Sequence, residues 1–229
     1  MTKQVSLQWQ LALTRESNDA AALFSRGLDA VRTMRHDYAD AVAVMSLLAL
    51  GAEKMLKLTI GLAGRDQGTG WPSKDYMRWE IGHRVLKADR TARPLLDTHP
   101  GNVPGLLADL KRQVNADPVL PAVLDALDKF GDAGRFYYLD VLASATQLQD
   151  APQTLWTNMT TAIAKADPGL LADLASAERY EHGRQRLNNT VAEALNGWWD
   201  LYVAAWRTGV IGDGAKRFAR EITLQKSTP

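Results

Sequence analysis

The segment LLALGAEKMLKLTIGL, from Leu47 to Leu62, places Glu53, Lys54 and Lys57 inside an otherwise apolar run. On a helix, Glu53 and Lys57 are four residues apart with the acid N-terminal, the orientation worth about 0.2–0.5 kcal/mol. Ser46, Leu50, Glu53, Lys54 and Lys57 then fall on one narrow side, while Met45, Leu48, Ala52, Met55 and Leu62 face elsewhere. The charges therefore read as a paired polar stripe on a mostly buried helix, with contact to a partner or a ligand as the functional rival. A second concentration of reactive groups is ERYEHGRQRLNN, from Glu178 to Asn189. Tyr180, His182, Arg184, Arg186 and Asn188 could line a polar cavity or a partner surface. A solvated helix middle explains the same run, because charged helical faces ordinarily meet water. Arg184 and Arg186 point about 200° apart, so either could hold a phosphate but not both together.

Several chemistries are excluded by what the chain lacks. Among its 229 residues there is no cysteine, which removes disulfides, thiolate nucleophiles and Cys-based zinc sites and fits a reducing, cytoplasmic setting. There is no phosphate-binding Walker loop, no Gly-x-Ser-x-Gly nucleophile elbow and no His-Glu-x-x-His zinc helix. Glu178 and His182 lie at i, i+4, but no Glu-x-x-His pair of the di-iron type occurs, and only 4 histidines are present. The expectation is no metal and no cofactor. Net charge is +1, so no global field recruits nucleic acid or anionic lipid. Ala41 to Gly64 is long enough to span a bilayer, but each charge near its centre would cost about 2.5–3.5 kcal/mol. No membrane association is expected.

The elements that must position these groups are helical throughout. Ser17, Asn18 and Asp19 suggest the cap of a helix running to about Arg35, followed by a second from Asp37 to about Ala63. Gly64 to Ser73 forms a loop, and helix resumes from Tyr76 past Leu86, with breaks at Pro94 and at His99–Gly101. Shorter helices fit Val103–Val114, Pro118–Phe130, the RFYYLDVLASA segment from Arg135, and Leu155–Ala166. Asp167-Pro168-Gly169 then stops the chain. The strongest periodicity comes last, where Leu187, Val191, Leu195, Trp198, Tyr202 and Trp206 step along one face of a long helix. Trp198, Trp199 and Trp206 read as core, with a homodimer interface as the rival. Because adjacent tryptophans cannot share one narrow face, the interface rival would place one of Trp198 and Trp199 there. Residues 1–229 are expected to form one all-α domain, a bundle with a long C-terminal helix and short accessory helices.

GAEKMLKL around Glu53, then a loop, then GHRVLKAD from Gly82 to Asp89, resembles the HEPN-like superfamily. These are helical-bundle domains of prokaryotic toxin–antitoxin, antiphage and ribonuclease systems. The resemblance covers about Asp19 to Asp89, and its motifs are short. It implies metal-independent RNA chemistry, in which active members carry an Arg, four to six intervening residues and a His. There His moves a proton at the ribose 2′-hydroxyl or the leaving oxygen, and Arg stabilises phosphate charge. Arg78 and His83 match this spacing, as do Arg93 and His99. On the last helix, Arg186-Leu187-Asn188-Asn189-Thr190-Val191-Ala192 carries the Arg and the Asn, with Ala192 where the His would stand. The resemblance thus implies a non-catalytic protein that binds RNA, a nucleotide or a protein partner. An endoribonuclease using Arg78 and His83 is the first alternative. A structural oligomerisation module built on the Trp-bearing helix is the second.

Overall fold

The structure, a computed structural model, describes residues Ser6–Asp97 and Gly105–Leu224, and no strand occurs among them. The fold is all-α. Helices α1 (Leu7–Thr33) and α2 (Asp37–Asp66) are joined by three residues and so form a long hairpin. The start of α1 differs from the sequence expectation. Its cap is Ser6, whose hydroxyl accepts from the Trp9 amide at 3.2 Å, and Ser17 lies fully buried inside the helix. Leu13 extends the stripe of Ala20, Phe24, Leu28 and Val31 back past Ser17, so burial holds the earlier turns helical.

After the Gly64–Ser73 loop come a π-helical turn (Tyr76–Ile81), α3 (Val85–Ala92) and a 3-10 turn (Arg93–Asp97). Pro94 lacks the amide needed to continue α3, which accounts for the tightened turn. Next follow α4 (Gly105–Ala116), α5 (Leu120–Asp132), a 3-10 turn (Gly134–Phe136), α6 (Tyr137–Leu142) and α7 (Pro152–Ala166). Asp167-Pro168-Gly169 closes α7 but also opens α8 (Pro168–Ala175), which the sequence reading did not place. Asp167 accepts from the Leu170 amide at 3.0 Å, and proline occupies the first turn, where no amide partner is missed. The chain ends with α9 (Tyr180–Thr208) and α10 (Asp213–Phe218).

The interior is built where α9 crosses the hairpin. Phe24 of α1 stacks on Trp199 with ring centroids 4.3 Å apart and also meets Trp198 at 5.8 Å. Trp198, Trp199 and Trp206 are all fully buried. Their indole N–H groups donate to Asp89 Oδ1 at 2.7 Å, the Ile222 carbonyl at 2.8 Å and Thr59 Oγ1 at 2.9 Å respectively. The rival reading, with one of these tryptophans at a dimer interface, is corrected. Helix α9 is enclosed by α1, α4, α8 and α10, so its adjacent faces are both interior. No helix among the described residues is long and apolar enough to cross a membrane.

Candidate functional site

Glu53 sits on the second half of α2 and is only 7% exposed. Burying a carboxylate without partners is expensive, so its environment must supply charge or donors. Lys57 supplies the first, its Nζ 2.8 Å from Glu53 Oε1 across one helical turn. His83 supplies the second, its Nδ1 3.1 Å from both carboxylate oxygens. An ionised carboxylate only accepts, so the Nδ1 of His83 carries the proton that donates to Glu53. Nε2 is left to exchange a proton with whatever approaches, and the side chain is 55% exposed. A fixed imidazole with one nitrogen anchored and the other open is the arrangement general acid–base chemistry uses.

Three features of the chain hold His83 in that place. Gly82 ends the π-turn at φ 67°, a left-handed conformation that strains other residues, and so reverses the chain before α3. Asp128 of α5 is buried and caps α3, its Oδ1 accepting from the Leu86 amide at 2.8 Å and the Lys87 amide at 3.3 Å. Its Oδ2 takes the Arg84 Nε at 3.2 Å. Gly131, one turn further along α5, packs so closely that a Cβ there would lie 2.1 Å from the His83 carbonyl oxygen. The turn carrying His83 is thus clamped between α2 and α5. Beside it, Glu53, Ser46, Ala49, Leu50, Phe130 and Arg135 line a cavity of about 120 Å³, room for about four waters. Arg135 is held by its own Nη2 donating to the Gly131 carbonyl at 2.8 Å.

The other candidate residues are placed differently. Arg78 is exposed on the π-turn with its guanidinium 4.5 Å from the Trp79 ring centroid, and no hydrogen bond or ion pair joins it to His83 among the described residues. Arg93 is drawn inward to Asp89, while His99 lies outside the described residues. On α9, Arg184 and Asn188 both donate to the Met34 carbonyl at the end of α1, Asn188 Nδ2 at 2.9 Å. Gln185 Nε2 reaches the Arg32 carbonyl at 3.1 Å. Arg186 meets Asp167 at 2.5 Å, and His182 Nδ1 stands 3.5 Å from Asp173. Tyr180 is about half exposed. Much of the polar run of α9 therefore ties down α1 and α8. It lies by the N-terminal end of α2, where Arg184 acts on Asp37, about 24 Å along that helix from Glu53 at 1.5 Å per residue. Ala192 is fully buried and lies on a different face from Arg186, so position 192 faces the core.

A buried network escaped the sequence reading. Asp89 of α3 accepts from Trp198 Nε1 and Tyr202 Oη, both at 2.7 Å, and from Arg93 Nη2 at 3.0 Å on each carboxylate oxygen. Burial and the adjacent Asp89 push the Tyr202 hydroxyl well above the usual tyrosine range. Burial disfavours the Arg93 cation, but Asp89 and Tyr202 more than offset it, and its proton is held more tightly than usual. Trp198 and Tyr202 are sealed from solvent, so this cluster locks α3 to α9 and offers no ligand a way in. Among the described residues no three His, Cys, Asp or Glu side chains converge as a metal site.

A scan against protein-family models matches none, and searches of curated proteins and of solved structures return no match.

Proposed function

We propose that this chain is a HEPN-like helical protein of the prokaryotic defence or toxin–antitoxin kind that binds RNA or a nucleotide at the exposed edge of His83. The observation that carries this reading is the His83–Glu53 contact. A buried carboxylate fixes Nδ1 and leaves Nε2 and the neighbouring guanidinium groups of Arg84 and Arg135 to meet a phosphate. GAEKMLKL and GHRVLKAD, the two motifs behind the HEPN-like resemblance, supply the two halves of this cluster. Binding without turnover is favoured because Arg78 is stacked on Trp79 and makes no hydrogen bond or ion pair to His83 among the described residues.

The same imidazole favours one other reading, a metal-independent endoribonuclease in which Arg78 swings toward His83 when RNA is bound. Fluorescence anisotropy with a labelled single-stranded RNA and with a labelled nucleotide, run beside a cleavage gel in chelator, separates the two. The binding reading expects salt-sensitive association that weakens at least about tenfold in His83→Ala and in Glu53→Gln, with the RNA left intact. An Arg186→Ala protein binds as the native one does. Equal binding by native, H83A and E53Q proteins removes the site; metal-free cleavage lost in H83A replaces binding with catalysis.

A further inference from the structure

Helix α2 carries no charged residue between Asp40 and Glu53, yet it is not enclosed over that length. Tyr38, Val42 and Leu50 recur along one side and are exposed, although a helix apolar all round is normally buried. Helix α6 repeats the anomaly more strongly. None of its residues is buried, and beyond the 3-10 turn that precedes it its one described side-chain anchor to a later helix is the Tyr138 hydroxyl, which donates to Gln153 Oε1 of α7 at 2.8 Å. Phe136, Tyr138, Leu139, Val141 and Leu142 are all exposed there. The two surfaces are neighbours, since the Tyr38 hydroxyl acts directly on that of Tyr138. Leu50 and Arg135 share the wall of one small cavity. The patch thus runs from the start of α2, over α6, to the edge of the His83 site.

These side chains are between 37% and 81% exposed. Together they present roughly 900 Å² of surface, where a monomer's largest apolar patch is about 300–600 Å² and a standard interface takes about 800 Å² from each partner. We infer that this face is the interface of a homodimer, closed by a two-fold axis that sets α2 and α6 against their counterparts. A second copy fits better than a foreign partner because the exposed members of the patch carry no charge, Asp140 of α6 and Arg135 at its root being half-buried. An axis through a charged face opposes like with like, whereas an apolar face is complementary to itself. This dimer uses none of the tryptophans of α9, and it does not depend on any ligand at His83.

Sedimentation velocity over nanomolar to tens-of-micromolar protein decides the matter. The native chain should approach twice its 25.2 kDa mass as concentration rises. L139D/L142D should remain monomeric with the same helical circular dichroism, because α6 buries nothing on folding. Val42→Asp, on the other helix of the patch, should weaken association as well. Leu171→Asp, at an exposed leucine of α8 away from the patch, should leave the dimer intact. A native protein monomeric at every concentration overturns the inference, as does a dimer that survives both L139D/L142D and V42D.

Discussion

Replacing Asp89 with asparagine preserves the shape of the side chain and removes its charge, which isolates what that carboxylate does. Four contacts converge on it, from Trp198, Tyr202 and, twice, Arg93. An amide has one acceptor oxygen. Turned toward Trp198 and Tyr202, its oxygen keeps both of those bonds and one from Arg93, but where Oδ2 stood it presents N–H groups to the Arg93 guanidinium, donor against donor. Turned the other way, it leaves the indole and the phenol without acceptors in a sealed interior. Removing one partner of a buried pair costs about 3–5 kcal/mol. The Arg93 side chain is 20% exposed and keeps the Asn115 side-chain oxygen Oδ1 at 3.3 Å, so the lower end, about 3 kcal/mol, is expected. For a domain of this size that lowers the melting temperature by about 6–12 °C. Urea titration followed by far-ultraviolet circular dichroism measures it directly. Arg93→Met added to D89N removes the stranded cation, and the double variant should be less destabilised than the two single losses summed. A D89N protein within about 1 kcal/mol of native refutes the reasoning, because the network would then be holding nothing.

Two further outcomes test how the site is held and how α9 responds to pH. Gly131→Ala drives a methyl group against the His83 carbonyl oxygen, so it should cost about 1–3 kcal/mol by overpacking and weaken ligand binding as H83A does, measured by urea titration and anisotropy. Native-like stability and binding together would show that α5 does not clamp the turn. Burial raises the Asp200 carboxyl above the ordinary aspartate range, opposed by the Asn196 amide and then by Arg207. A raised carboxyl favours the folded state where it is protonated, and that advantage is lost as pH rises through its folded pKa. Asp200→Asn should therefore be at least as stable as native at neutral pH, with the difference shrinking as pH falls toward the unfolded value. A variant less stable at pH 7 would reverse that sign.

Local order was legible wherever a helix carries its own signals. The span of α2 follows from Asp37 at its start and the glycine-rich loop at its end, and the Glu53–Lys57 pair follows from their four-residue spacing, observed at 2.8 Å. Helix α9 was visible because its apolar positions repeat over about five turns. What spacing cannot show is how many sides of a helix are covered. Trp198 and Trp199 looked incompatible with one face, and they are, but α9 is covered on both faces that carry them. The polar run from Glu178 looked solvated because its acceptors, the carbonyls of Arg32 and Met34, are about 150 residues away in the chain. His83 had the same difficulty. Its partner Glu53 is 30 residues earlier, and Asp128 and Gly131, which place it, come from α5. The absence of charge from Ala41 to Ala52 read as burial, whereas Val42 and Leu50 on one side of that stretch are exposed.

That uncharged stretch and the charged one after it belong to a single stripe. Tyr38, Val42, Ser46, Leu50, Glu53 and Lys57 advance by three or four residues and so share a side of α2. Along that side the chemistry changes within one turn, from exposed apolar surface at Leu50 to a buried carboxylate at Glu53. The change coincides with what packs there. Before it, Tyr38, Val42, Ser46 and Leu50 are exposed. After it, the His83 turn and α5 cover the face, and a carboxylate becomes tolerable because Lys57 and His83 satisfy it. The interface and the site are therefore consecutive uses of one helical face, and they should respond separately to substitution. Val42→Asp acts on association and leaves the His83–Glu53 contact untouched, while His83→Ala removes that contact from a residue outside the apolar patch. Arg135 belongs to both, lining the cavity with Glu53 and Leu50 while its guanidinium lies 5.8 Å from the Phe136 ring centroid at the root of α6. Association and ligand binding can therefore be coupled through that cavity, where residues of both surfaces meet.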